Sequence, residues 1–183
     1  RKVWFMYKYF SEQIKKHRSF INSVRYDAKG ERIITASSDY TAKIWNTRGN
    51  SLRTLRGHTS FLYNAEFSPD GKYAVTASAD QYAFLWYVEK GKTTQLFEKM
   101  WHDSYLNTAH FSPDGKYIGT VTANGKAYIW ETDGTQKTVM EAHNGQMKEI
   151  KFSPQADKVL TYGYDSVVYV WDLEGNQIFS EPI

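Results

Sequence analysis

Cysteine is absent from this 183-residue chain, which excludes disulfides, thiolate zinc sites and a cysteine nucleophile together. The absence suits a reducing compartment, and a cytoplasmic location is the expectation. Long apolar runs are missing as well: no stretch approaches the roughly 18 uninterrupted apolar residues of a membrane span. The start, Arg1-Lys2-Val3-Trp4, carries neither an initiator Met nor the layout of a signal peptide, so a soluble chain with no membrane partner is expected. Nor is there a phosphate-cradling glycine loop or a His-Glu-x-x-His pair, which leaves catalysis without a candidate and cofactors without a site. No helical periodicity runs through any long span. What the chain does hold is a globular composition, 41% hydrophobic and 16% aromatic.

The net charge of +3 hides an uneven distribution: residues 1–58 carry 13 Lys/Arg against 4 Asp/Glu, whereas residues 59–183 carry 10 against 16. The two parts should attract opposite partners. Solvation of outer strands is the simplest use of such charge. A head-to-tail contact, or an anionic ligand near Lys15, Lys16, Arg18, Arg53 and Arg56, is the alternative. Nucleic acid is disfavoured, because the aromatics occupy repeat columns and leave charge as the sole argument.

Those columns begin with tryptophan. Trp4, Trp45, Trp86, Trp130 and Trp171 recur at intervals of 41, 41, 44 and 41 residues, and His17, His58, His102 and His143 each stand 28 positions before one of the last four. A period of about 40 to 45 residues marks an array whose units cannot bury their apolar faces alone. Nine residues after each His comes Tyr26, Phe67, Phe111 or Phe152; seven after it comes Val24, Ala65, Ala109 or Ile150. This spacing predicts an inner strand buried on both sides. A turn follows in Ser68-Pro69-Asp70-Gly71 and Ser112-Pro113-Asp114-Gly115, where proline presets φ and glycine accepts positive φ. In the fourth repeat Ala156 takes the glycine column and should tolerate the turn less well. Second strands are expected at 33–37, 74–78, 118–122 and 159–163, then a short turn, a third strand with the Trp, and a more polar fourth strand. Each repeat is therefore four short antiparallel strands, and such units point to a radial propeller.

At these residues the chain resembles the WD-repeat β-propeller family. The resemblance implies an all-β propeller and, in each blade, a hydrogen-bonded tetrad of His, Ser/Thr, Asp and Trp. Carried over by position, the sets are His17, Ser37, Asp39 and Trp45; His58, Ser78, Asp80 and Trp86; His102, Thr122, Asn124 and Trp130; and His143, Asp165 and Trp171 with Gly163 in the hydroxyl column. The third set lacks the carboxylate and the fourth the hydroxyl, so both blades should be held less firmly.

A Ser, a His and an Asp together invite comparison with a hydrolase triad, but a set that recurs in every blade with a Trp is structural, since a nucleophile must be unique and exposed. The four periodic His residues lie one per blade and do not converge on a metal. His110 breaks the rhythm: it sits in the inner strand where other repeats have Arg25, Glu66 and Lys151, which suggests a mixed ionic lining of the central channel.

The resemblance also implies where a partner docks: on the narrower rim, through residues three and five beyond the His and one before the turn Asp. Here these columns supply Phe20, Phe61 and Tyr105, then Asn22, Tyr63, Asn107 and Lys148, and finally Tyr164. An aromatic arc on a rigid platform is how protein-binding hot spots look. The expected organisation is the last two strands of a preceding blade at 1–16, then blades at 17–57, 58–101, 102–142 and 143–183. Trp4 precedes His17 by 13 residues, as Trp45 precedes His58, so the array is expected to continue upstream in a larger protein. The expected function is a non-enzymatic interaction scaffold or sensor within a multidomain signalling protein, gripping a protein or peptide on the rim. Further blades of the parent chain, or a second copy, are expected at the open edges. The competing readings are a structural array serving an enzyme domain on the same chain, and identical chains completing one another in trans.

Overall fold

The computed structural model describes residues 17–91, 95–141 and 143–182. The expected half blade at 1–16 lies outside them. Every regular element among the described residues is a strand, and sixteen strands form four antiparallel sheets in chain order. The first holds β1 (Ile21–Tyr26), β2 (Arg32–Ser37), β3 (Ala42–Asn46) and β4 (Ser51–Leu55). The second holds β5 (Leu62–Phe67), β6 (Tyr73–Ser78), β7 (Tyr82–Tyr87) and β8 (Gln95–Trp101). The third holds β9 (Leu106–Phe111), β10 (Tyr117–Thr122), β11 (Lys126–Glu131) and β12 (Gln136–Glu141), and the fourth β13 (Met147–Phe152), β14 (Lys158–Gly163), β15 (Val167–Asp172) and β16 (Gln177–Pro182). This is the meander expected of propeller blades.

Small and large residues alternate across the sheets so that one face fits the next. Ile34, Ala36, Ala42, Ile44 and Leu55 of the first sheet bury against Leu62, Ala65, Phe67, Phe84 and Trp86 of the second. Val75, Ala77, Ala83, Leu85 and Met100 then meet Leu106, Ala109, Phe111, Tyr128 and Trp130. Val121, Ala127, Ile129 and Met140 meet Met147, Ile150, Val159 and Trp171. Each core thus lies between sheets, which is why no repeat could stand alone. Gly119 sits at such a junction: a Cβ there would come within 2.9 Å of Ile150 Cδ1 and 3.0 Å of Phe152 Cε2.

One expectation needs correction. β1 is mostly exposed instead of buried on both sides, with Val24, Arg25 and Tyr26 open to solvent. Burial of an inner strand comes from the neighbouring sheet, not from its own sequence. Ala156 does take the glycine's place in the turn, at φ 57°, and its N–H donates to Ser153 as Gly71 does to Ser68 and Gly115 to Ser112. The left-handed conformation is adopted without glycine, at a steric cost to the alanine Cβ.

Candidate interaction rim and the networks behind it

In the first sheet a buried relay runs from indole to carboxylate. Trp45 Nε1 donates to Thr35 Oγ1 at 2.9 Å, that hydroxyl bonds His17 Nε2 at 2.8 Å, and His17 Nδ1 bonds Asp39 Oδ2 at 2.8 Å. One assignment satisfies every member: indole N–H to hydroxyl, hydroxyl to the Nε2 lone pair, Nδ1–H to carboxylate. Burial lowers the His17 pKa against the pull of Asp39, which matches this neutral ring. The relay repeats through Trp86, Thr76, His58 and Asp80, and through Trp171, Thr161, His143 and Asp165.

The hydroxyl in all four sheets is thus Thr35, Thr76, Thr120 or Thr161, two residues before the column carried over from the resemblance. Register explains the correction. Trp45 faces Ile33 across the ladder, so Thr35 is its diagonal neighbour on the same face, about 7 Å away. Ser37 lies four residues along from Ile33, about 13 Å at the rise of a strand, beyond reach of the indole. Ser37 and Ser78 instead accept the backbone N–H of Asp39 and Asp80 in the following turn. Thr122 donates to Asn124 Oδ1. Gly163 therefore costs the fourth sheet nothing in this network, and the expectation of a weakened fourth tetrad does not hold. An unbroken Thr column at 18 residues after each His was the available signal.

The third sheet solves the missing carboxylate differently. His102 Nε2 bonds Thr120 Oγ1 at 2.7 Å while its Nδ1 lies 3.1 Å from the carbonyl of Met100, so a backbone oxygen takes the carboxylate's part. Burial depresses the His102 pKa to about 4. Asn124 turns away and donates to Asp103, which also receives Lys126 and Tyr128.

These relays hold the rim loops. Asp39 Oδ2 accepts the backbone N–H of Arg18, Asp80 that of Thr59 and Asp165 that of Asn144, tying the loop before each inner strand to the turn between the second and third. Burial raises the Asp39 pKa, but hydrogen bonds from Thr41, Arg18 and His17 outweigh it and bring it to about 2. A second tie is backbone to backbone: Ser38 N donates to Phe20 O, Ala79 N to Phe61 O, Ala123 N to Tyr105 O and Tyr164 N to Gln146 O. The side chains carried on this fixed backbone point outward. Phe20 is 83% exposed, Phe61 44%, Tyr105 41% and Tyr164 70%. Tyr40, which lies outside the periodic rim columns, packs on Phe61 with ring centroids 5.7 Å apart, and Lys148 Nζ lies over Tyr164 at 5.9 Å. Tyr63 is half-buried.

The two asparagines of the expected rim set are already engaged. Asn22 Nδ2 donates to Leu62 O in the next sheet at 2.7 Å, and Asn107 Nδ2 donates to Met147 O in the one after. Their amides join sheets. At the opposite rim buried Arg32 does the same: it pairs with Asp27, donates to Val88 O and Gly71 O across the junction, and stacks over Phe67. Among the described residues no group of three or more His, Cys, Asp or Glu is placed to hold a metal ion, and no helix is long and apolar enough to cross a membrane.

No curated protein matches the chain. The family model for the WD domain, G-beta repeat, matches residues 9–46, 49–87, 93–131 and 134–172. Three of these matches start near the outermost strand of one sheet, and every match closes one residue past the Trp, so the family's repeat is offset from the sheet by one strand. Repeats of this family generally mediate protein interaction and scaffolding, and its propellers are typically non-catalytic. With four matches spanning most of its length and four four-stranded sheets to correspond, the chain belongs to the WD-repeat family.

Proposed function

We propose that the chain is a non-enzymatic platform that recognises a protein or peptide through the rim bearing Phe20, Tyr40, Phe61, Tyr105 and Tyr164. The supporting observation is the pairing of exposed aromatic side chains with a backbone held by relays and turn hydrogen bonds. Such anchors lose little freedom on binding, which is what makes aromatic hot spots productive. The hydroxyl, imidazole and carboxylate groups that could suggest chemistry are consumed in the buried relays. A scaffold or sensor role in a cytoplasmic signalling protein is the setting we propose for this activity. Selection from a displayed peptide library tests the rim: bound peptide should slow amide exchange around Phe61 and Tyr105. Protection confined to the opposite rim, near Pro69 and Pro113, would sink the proposal.

A second observation concerns the fourth sheet. Leu160, Tyr162, Val168 and Val170 are only half-buried and Phe179 is exposed, whereas their counterparts Ile34, Ala36, Ala42 and Ile44 are fully buried. An apolar sheet face of this kind supports a further blade packing there, from the parent chain or a second copy. The solution mass separates the two: a stable dimer supports the second copy, and a monomer the parent chain.

A further inference from the structure

His110 stands on β9 between carboxylates from both adjacent inner strands. Its Nδ1 bonds Glu66 Oε2 on β5 at 2.6 Å. Its Nε2 lies 2.7 Å from Glu149 Oε1 on β13, without the alignment of a hydrogen bond, so the attraction there is Coulombic. The ring itself is buried. Only the imidazolium sets positive charge against both carboxylates, because a neutral ring would turn a lone pair on one of them.

The carboxylates are anchored in their turn. Glu66 Oε1 accepts the backbone N–H of Phe111. Glu149 Oε1 accepts from Thr108 Oγ1 and from the N–H of Ile150, and its Oε2 meets Lys151 Nζ at 3.5 Å. Further along, the Arg25 guanidinium of β1 is turned to its own strand, donating to Val24 O. Lys148 lies over Tyr164, away from the cluster.

We propose that Glu66, His110 and Glu149 form a charge clasp that sets the spacing of the inner strands of the second, third and fourth sheets. The other bonds between these strands join only one pair at a time, such as that from Asn107 to Met147 O. His110 spans two junctions with one side chain. Tyr63, Asn107 and Lys148 stand on the same three strands, Tyr63 and Asn107 three residues before Glu66 and His110 and Lys148 next to Glu149, so the clasp also positions part of the rim. That last consequence rests on the rim reading; the clasp itself does not.

Burial would lower the His110 pKa, but Glu149 and Glu66 outweigh it and push it up to about 9. The sign follows. A folded-state value above the unfolded 6.5 gives stabilisation that is complete below pH 6.5 and is lost as pH rises through about 9. Burial raises the Glu149 pKa, yet His110 and Lys151 outweigh that and lower it from 4.5, so the clasp weakens again only in acid.

The test is NMR titration of the His110 ring in the whole chain, with melts of wild type and His110→Gln from pH 6 to pH 10. The ring should titrate near 9, and the melting deficit of His110→Gln should shrink across the upper half of that range. If His110→Gln fails to fold, Glu149→Gln serves: it should move the ring titration down by at least one unit. A ring that titrates at 6.5 or below overturns the clasp, as does a deficit independent of pH. Neither readout involves a rim partner, so loss of the clasp and loss of the rim reading are separate outcomes.

Discussion

Thr35, Thr76, Thr120 and Thr161 each accept an indole N–H and engage an imidazole, so a single hydroxyl satisfies two buried groups. Thr161→Val keeps the shape and strands both, and should cost about 1–3 kcal/mol in a denaturant titration. Ser37→Ala, which loses only the bond from Asp39 N–H and a long one to Ser19 O, should cost under about 1 kcal/mol; the reverse order would return the relay to the Ser37 column. Ala156→Gly relieves a left-handed alanine and should stabilise by about 0.5–1 kcal/mol, once the added freedom of the unfolded chain is offset. The His, Asp and Trp columns were legible because each recurs at a fixed distance. The hydroxyl was misread because the choice between two adjacent hydroxyl columns depends on ladder register, which periodicity does not report.

Strands follow the alternation of β-branched and small residues closely, yet their environment is set by neighbours. β1 and β5 share a repeat pattern, but β5 is covered by the first sheet, whereas Val24 and Tyr26 on β1 are exposed. Gly119 on β10 shows the same dependence: it occupies the column of Ile34 and Val75 because Ile150 and Phe152 of the next sheet fill its place. Gly119→Val should therefore lower stability by about 1–3 kcal/mol through overpacking, measured by melting. An unchanged melt would mean that the third and fourth sheets do not meet as described. Asn22 and Asn107 belong to this scale too, since a rim position in sequence became a junction between sheets.

For the molecule as a whole, acid should act in two stages. Burial holds the folded His102 pKa at about 4, below its ordinary 6.5, so the unfolded chain binds that proton first and stability falls as pH drops from 6.5 toward 4. Asp39, held at about 2 against an ordinary 3.8, gives stability present above 3.8 and lost below it. Melts from pH 7 to pH 2 should show both losses, and His102→Gln should reduce the earlier one, to which His17, also held below 6.5 by burial, contributes the remainder. A flat profile above pH 4 would contradict a buried neutral His102.

The central claim is that the exposed aromatics of one rim bind a partner without being part of the core. Its most direct test is the affinity of a selected rim peptide for wild type and for Phe61→Ala combined with Tyr105→Ala, with melts of both. The double variant should lose affinity at least roughly tenfold, as expected when hot-spot aromatics are removed, with a melting shift of no more than about 4 °C, near 1 kcal/mol for a chain of this size. Full affinity in the double variant, or its unfolding, would contradict it.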